Sequence, residues 1–149
     1  MLLGSYRKPL VKRRGAAAAE LAVLLPLLVF IFLVGTDYCR IFYYSLTITN
    51  CARNGALFGS GVANSQNWQN NDALIATIRE ATVADGAKLN PPVTADNVAV
   101  VKARDADGHA VVQVSVTYQF NTLTGFPGIP NTVNLIRTAQ LRIAPLAPN

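Results

Sequence analysis

The pattern of the chain opens on a long apolar run. From Ala16 to Gly35 the single charged residue is Glu20, and a helix of about 20 apolar residues matches the hydrocarbon thickness of a bilayer. Ala16 to Leu25 consists of strong helix formers, and no proline falls between Thr36 and Phe58. The spacing predicts one helix over 16–58, about 65 Å long, with a transmembrane part at about 16–36 and an extramembrane extension to 58. In the far half, Ile41, Tyr44, Ile48 and Cys51 form a stripe at helical spacing, among polar Arg40, Thr47, Asn50, Arg53 and Asn54. Tyr38, Tyr43 and Tyr44 stand where the apolar run ends, as in an aromatic interfacial belt. Pro26 removes a backbone bond to the fourth preceding carbonyl and marks the expected weak point.

Gly55, Gly59, Ser60 and Gly61 are expected to end that helix, and Asn64 to Asn71 reads as a polar loop carrying Trp68. Asp72 is the expected cap of a second helix running to about Ala84, with Leu74, Ile75, Ile78 and Ala81 on one face and Gly86 as its stop. Beyond Asn90-Pro91-Pro92 the period changes to two. Val98 to Arg104 is one strand, Asp105 to Gly108 a tight turn, and His109 to Phe120 a second strand. There Val112, Val114, Val116, Tyr118 and Phe120 alternate with Gln113, Ser115, Thr117 and Gln119, so one face is buried and the other wet. After a Gly/Pro loop, Val133, Leu135, Ala139, Leu141 and Ile143 repeat the alternation, with Arg137 as the misfit. The expected fold class is α+β: a long N-terminal transmembrane helix, a short helix and a three-stranded antiparallel sheet, with 59–149 as an extracytoplasmic head.

Composition agrees with concentrated apolar sequence, since 51% of the 149 residues are hydrophobic and mean hydropathy lies above zero. Charge is informative only by position. Residues 1–15 hold Arg7, Lys8, Lys12, Arg13 and Arg14 and no acid, whereas from Ala16 onward eight basic residues meet eight acidic ones. The net charge of +5 therefore belongs to a short leader. No basic face remains for a phosphate backbone, so nucleic acid is not an expected partner. A cationic flank before an apolar span places residues 1–15 in the cytoplasm and the C-terminal bulk outside.

Cys39 and Cys51 are the whole thiol inventory. On one helix they would lie roughly 18 Å apart, too far for a bridge, and small buried helix residues are expected. Asp105-Ala106-Asp107-Gly108 echoes part of a calcium loop but lacks the remaining acids, and reads as a hairpin turn. His109 is the single histidine and is expected at the surface, and Asp37 and Arg40 at i, i+3 are expected to pair on their own helix. With no nucleophile motif and no clustered carboxylates, a non-enzymatic chain is expected, without cofactor, metal or small-molecule substrate.

The junction of leader and span carries the chemistry. Arg13-Arg14-Gly15 ends the basic leader, small residues follow, and Glu20 is the fifth residue counted from Ala16. An intramembrane carboxylate is costly and calls for a partner. Here the sequence resembles the pilin-like proteins of type IV filament systems, whose leaders are cut after a glycine by a membrane prepilin peptidase. Arg14-Gly15-Ala16-Ala17-Ala18-Ala19-Glu20-Leu21-Ala22, Pro26, Gly35, Asp37, Arg40 and Asn50-Cys51-Ala52-Arg53-Asn54-Gly55-Ala56 narrow this to the TadE-like family of the tight-adherence pilus. Val114 to Phe120 and Leu135 to Arg142 add a further likeness, while Leu21 stands where an aromatic is usual.

The resemblance implies cleavage between Gly15 and Ala16, with Lys12, Arg13 and Arg14 as the basic flank. It implies that Glu20 pairs with the new ammonium on Ala16 of a neighbouring subunit, so that one buried charge satisfies another. It also implies a minor pilin or pseudopilin of the bacterial inner membrane, single-pass, with the peptidase, other pilin-like subunits and the pilus assembly platform as partners. Two other readings of the span stay open: a secretory signal peptide, and a plain anchor without processing. Either would leave a secreted or signal-anchored extracytoplasmic binding module unrelated to pili.

Overall fold

The computed structural model describes residues 14–62, 71–123 and 130–143. Its elements are α1 (Arg14–Val62), α2 (Asp72–Val83), β1 (Val98–Arg104), β2 (Ala110–Asn121) and β3 (Thr132–Arg142), with 3-10 turns at Ala84–Lys88 and Ala95–Asn97. A long N-terminal apolar helix, a short helix and a three-stranded antiparallel sheet make the chain α+β, as the sequence pattern predicts. The chain divides into two compact units, one ending at Thr36 and the other beginning at Asp37.

In the first unit α1 runs through Pro26 without interruption. Every residue from Gly15 to Phe32 is exposed, including Leu21, Leu24, Leu27, Leu28, Ile31 and Phe32. None of the apolar window of this helix is buried within the chain, unlike the core helix of a soluble domain. Among the described residues α1 is the one helix long and apolar enough to cross a membrane.

The second unit is built on the sheet order β1-β2-β3. Val98 faces Val116 and Arg104 faces Ala110 across β1 and β2, while Val111 faces Arg142 and Asn121 faces Thr132 across β2 and β3. This register puts Val112, Val114, Val116, Tyr118 and Phe120 on one face, all buried. Against them lie Ile48, Cys51, Ala52 and Ala56 of α1 and Ile78 of α2, so the predicted stripe of Ile41, Tyr44, Ile48 and Cys51 is the packing face. The opposite face is held by polar pairs, Ser115 with Thr138 at 2.8 Å and Gln140 with Gln113 at 3.0 Å. Arg137 shares the core face of β3, and it reaches sideways to the Ser45 hydroxyl of α1 from Nε at 3.1 Å and Nη2 at 2.5 Å.

Several local expectations change. The helix continues four residues past Phe58, because Gly55 and Gly59 are packing positions: a Cβ at Gly59 would come within 2.9 Å of Val112 Cγ1. The cap of α2 is Asn71, whose side chain accepts the Leu74 N–H at 3.2 Å, and Asp72 sits in the first turn. Gly86 does not stop a helix with a positive φ. It lies buried in the 3-10 turn, where a Cβ would come within 2.6 Å of Val93 Cγ2.

Tyr44 leaves the expected aromatic belt and packs inward on Tyr118 and Phe120, at centroid distances of 5.4 and 5.1 Å. Its hydroxyl and that of Tyr118 donate to the carbonyls of Asn90 and Pro91, at 3.3 and 2.8 Å. Cys39 is exposed, contrary to expectation, while Cys51 is fully buried. The expectation for Trp68 lies outside the described residues.

Candidate functional site

The residues singled out at the leader junction fall in the first two turns of α1. Gly15, Ala16 and Glu20 are all helical and exposed. An i, i+4 spacing puts Ala16 and Glu20 on one side of the helix, one turn apart. Nothing lies within 4 Å of a Cβ placed on Gly15. Glu20 shares its surface with Ala19, Val23 and Leu24. Among the described residues it makes no ion pair or hydrogen bond. A carboxylate in this setting is satisfied in water but not in hydrocarbon, where its cost is about 2.5–3.5 kcal/mol at mid-bilayer on insertion scales. Lys12 and Arg13, and the side chain of Arg14, lie outside the described residues.

A second constellation was only half visible in the sequence. Asp37 is 6% exposed and takes the expected bond from Arg40 Nη1, at 3.0 Å. The same carboxylate also accepts the Leu123 backbone N–H, with both oxygens at 3.0 Å. The Arg40 guanidinium lies over the Phe120 ring, 4.9 Å from its centroid. Asp37 thus ties the first turn of α1 in its unit to the end of β2. The Asp-x-x-Arg spacing signals the ion pair, but no local signal joins position 37 to position 123.

The turn between β1 and β2 brings together Asp105, Asp107 and His109, whose ligand atoms lie within 4.8 Å of one another. Arg142 already bridges this group, from Nε to Asp105 at 2.6 Å and from Nη2 to Asp107 at 2.7 Å. The guanidinium supplies the counter-charge that a cation would bring. Asp105 further accepts the N–H groups of Asp107 and His109, and Gly108 adopts φ 84°, which makes this the hairpin turn read from the sequence. Partial burial pushes the Asp105 carboxyl up, but the His109 N–H and the Arg142 guanidinium outweigh it and hold the group below its ordinary range.

Among the described residues one exposed apolar helix, long enough to cross a membrane, precedes an α+β unit. The family model described as TadE-like protein matches residues 15–57. Over that segment the chain is similar to the TadE-like family, in agreement with the resemblance carried by its motifs. The match begins at Gly15 and takes in Ala16, Glu20, Asp37 and Arg40. No curated protein and no solved structure matches the chain.

Proposed function

We propose that this chain is a minor pilin or pseudopilin of a tight-adherence pilus, cut after Gly15 by a prepilin peptidase and retained in the membrane by α1. The observation that carries this reading is the coincidence of three boundaries. The basic leader ends, the apolar run begins and the TadE-like match begins within two residues of one another.

Cleavage would create an ammonium on Ala16 at the head of an apolar helix, four residues before the unpaired Glu20 carboxylate. Pairing the two across neighbouring subunits removes two uncompensated charges from hydrocarbon at once. The leader stays cytoplasmic and the β-sheet unit extracytoplasmic, following the charge bias around the span. The work of the protein is then assembly: lateral packing with other pilin-like helices, engagement of the assembly platform and presentation of the head.

Mass spectrometry of protein extracted from membranes tests the processing step. An N-terminus at Ala16 is the expected result. An intact leader would leave a plain anchor, and an N-terminus beyond Gly35 would indicate secretion. Glu20→Ala should preserve cleavage and insertion yet abolish piliation, and normal pili in that variant would end the charge-pairing mechanism.

A further inference from the structure

Asp37 offers more than an ion pair, because it fixes a distant residue at one level of the chain. It directly follows Thr36, where the apolar segment ends. In a chain whose α1 crosses a membrane, covalent continuity alone sets Asp37 at the bilayer boundary. Its buried carboxylate then holds the Leu123 N–H at 3.0 Å, so Leu123 stands at that same level although it is 86 residues away.

The side chains found there are apolar and open. Leu123 is 62% exposed, Tyr38 73% and Phe42 61%. Along the helix, Tyr38 comes about 1.5 Å and Phe42 about 7.5 Å beyond Asp37. The headgroup layer on each side of the hydrocarbon is roughly 5–7 Å deep, so these residues fall within it or at its edge. Arg40 is committed to Asp37 and to the Phe120 ring. Leu123, Tyr38 and Phe42 are aromatic and aliphatic groups, the composition that suits the boundary between headgroups and acyl chains.

We infer that the end of β2 at Leu123, held in place by Asp37, is a second contact of the protein with the lipid surface, beside the helix itself. The occupant is the headgroup–acyl boundary of the bilayer. The contact rests on the membrane-spanning reading of α1.

The test uses the full chain in phosphatidylcholine vesicles, in a Cys39→Ser background that leaves only the buried Cys51. An environment-sensitive fluorophore is attached at Leu123→Cys, at Leu28→Cys within the span, or at Thr117→Cys on the wet sheet face. Lipids with a nitroxide near the headgroup end of the acyl chain serve as quenchers. The inference expects blue-shifted, quenched emission at positions 28 and 123 and water-like, unquenched emission at 117. Quenching at 28 without quenching at 123 overturns the contact while the span stands. Absence at both overturns the span, and the contact with it.

A blue shift at 123 without lipid quenching would mean that a protein covers it, and equal quenching at 117 would mean that the whole sheet face lies on the bilayer. Either result overturns the contact. Asp37→Ala should abolish quenching at 123 and leave it unchanged at 28, and persistence at 123 would remove Asp37 from the account.

Discussion

Gly55 of α1 lies so close to Thr82 of α2 that a β-carbon at position 55 would collide with the threonine hydroxyl. Thr82 is itself fully buried and returns its proton to the Ile78 carbonyl at 2.7 Å, so it has little freedom to yield. Gly55→Ala is expected to cost about 1–3 kcal/mol, the usual range for overpacking a tight interior. Thermal unfolding of the detergent-solubilised chain, followed by circular dichroism, measures this. Gly61→Ala is the control: its β-carbon would meet nothing within 4 Å, and the melting temperature should hold or rise slightly.

Removing the Asp37 side chain strands two groups at once, the Leu123 N–H and the Arg40 guanidinium. A buried donor left without its acceptor costs about 1–3 kcal/mol, and the part-buried Leu123 N–H falls at the lower end. Asp37→Ala should lower stability by that order and sharply accelerate hydrogen exchange at the Leu123 amide. Exchange at Val114, in the middle of β2, should change little. An unchanged Leu123 rate would show that the carboxylate does not hold that strand end.

Two buried acids make the fold sensitive to alkali. Burial, reinforced by the nearby Asp85 charge, pushes the Cys51 thiol up to about 11 from an ordinary 9.0. Burial likewise pushes the Tyr118 hydroxyl up to about 12 from 10.0, with the Tyr44 neighbour adding to it. Both groups hold their protons more tightly in the folded chain than in the unfolded one. Their contribution is therefore intact below the ordinary values and declines as pH rises through 9–11 for Cys51 and 10–12 for Tyr118. Denaturant titrations across that range should show a loss on the order of 2 kcal/mol per group. Cys51→Ala should blunt the first part of the decline and Tyr118→Phe the second.

The β1–β2 turn behaves oppositely. With its carboxyl held below the ordinary 3.8, Asp105 supports the fold at neutral pH, and its contribution disappears as pH falls through its lowered value. Arg142→Ala should move the onset of acid unfolding to higher pH. Added calcium should leave the melting temperature of the unaltered protein unchanged, since Arg142 already occupies the acidic pair. A calcium-dependent rise would contradict this.

How far the sequence carries can be seen at particular residues. The alternation from Val112 to Phe120 predicts a strand with one buried face, because a period of two has one structural meaning, and the register agrees. The stripe ending at Cys51 likewise identifies the packed side of α1. Gly55, Gly59 and Gly86 misdirect a local reading, since a glycine that ends a helix and one that admits a neighbour look alike until the neighbour is known. Tyr44 fits both the interfacial belt and the apolar stripe of α1, and its packing on Tyr118 and Phe120 realises the stripe. At the junction, Ala16 and Glu20 lie one helical turn apart, a spacing that the sequence supplies by itself. Leu123 is not, because its link to Asp37 exists only once the sheet is folded.

Arg137 bears on what happens when many copies meet. Both outer strands of a three-stranded sheet expose unpaired backbone groups, which invite strands from other molecules. On β3 the core side of the strand carries a guanidinium braced on Ser45 where an aliphatic side chain would otherwise lie. A foreign strand docking along that edge would have to bury this cation or displace it. Self-association through β3 is thus disfavoured by the same residue that looked like an error in the alternation.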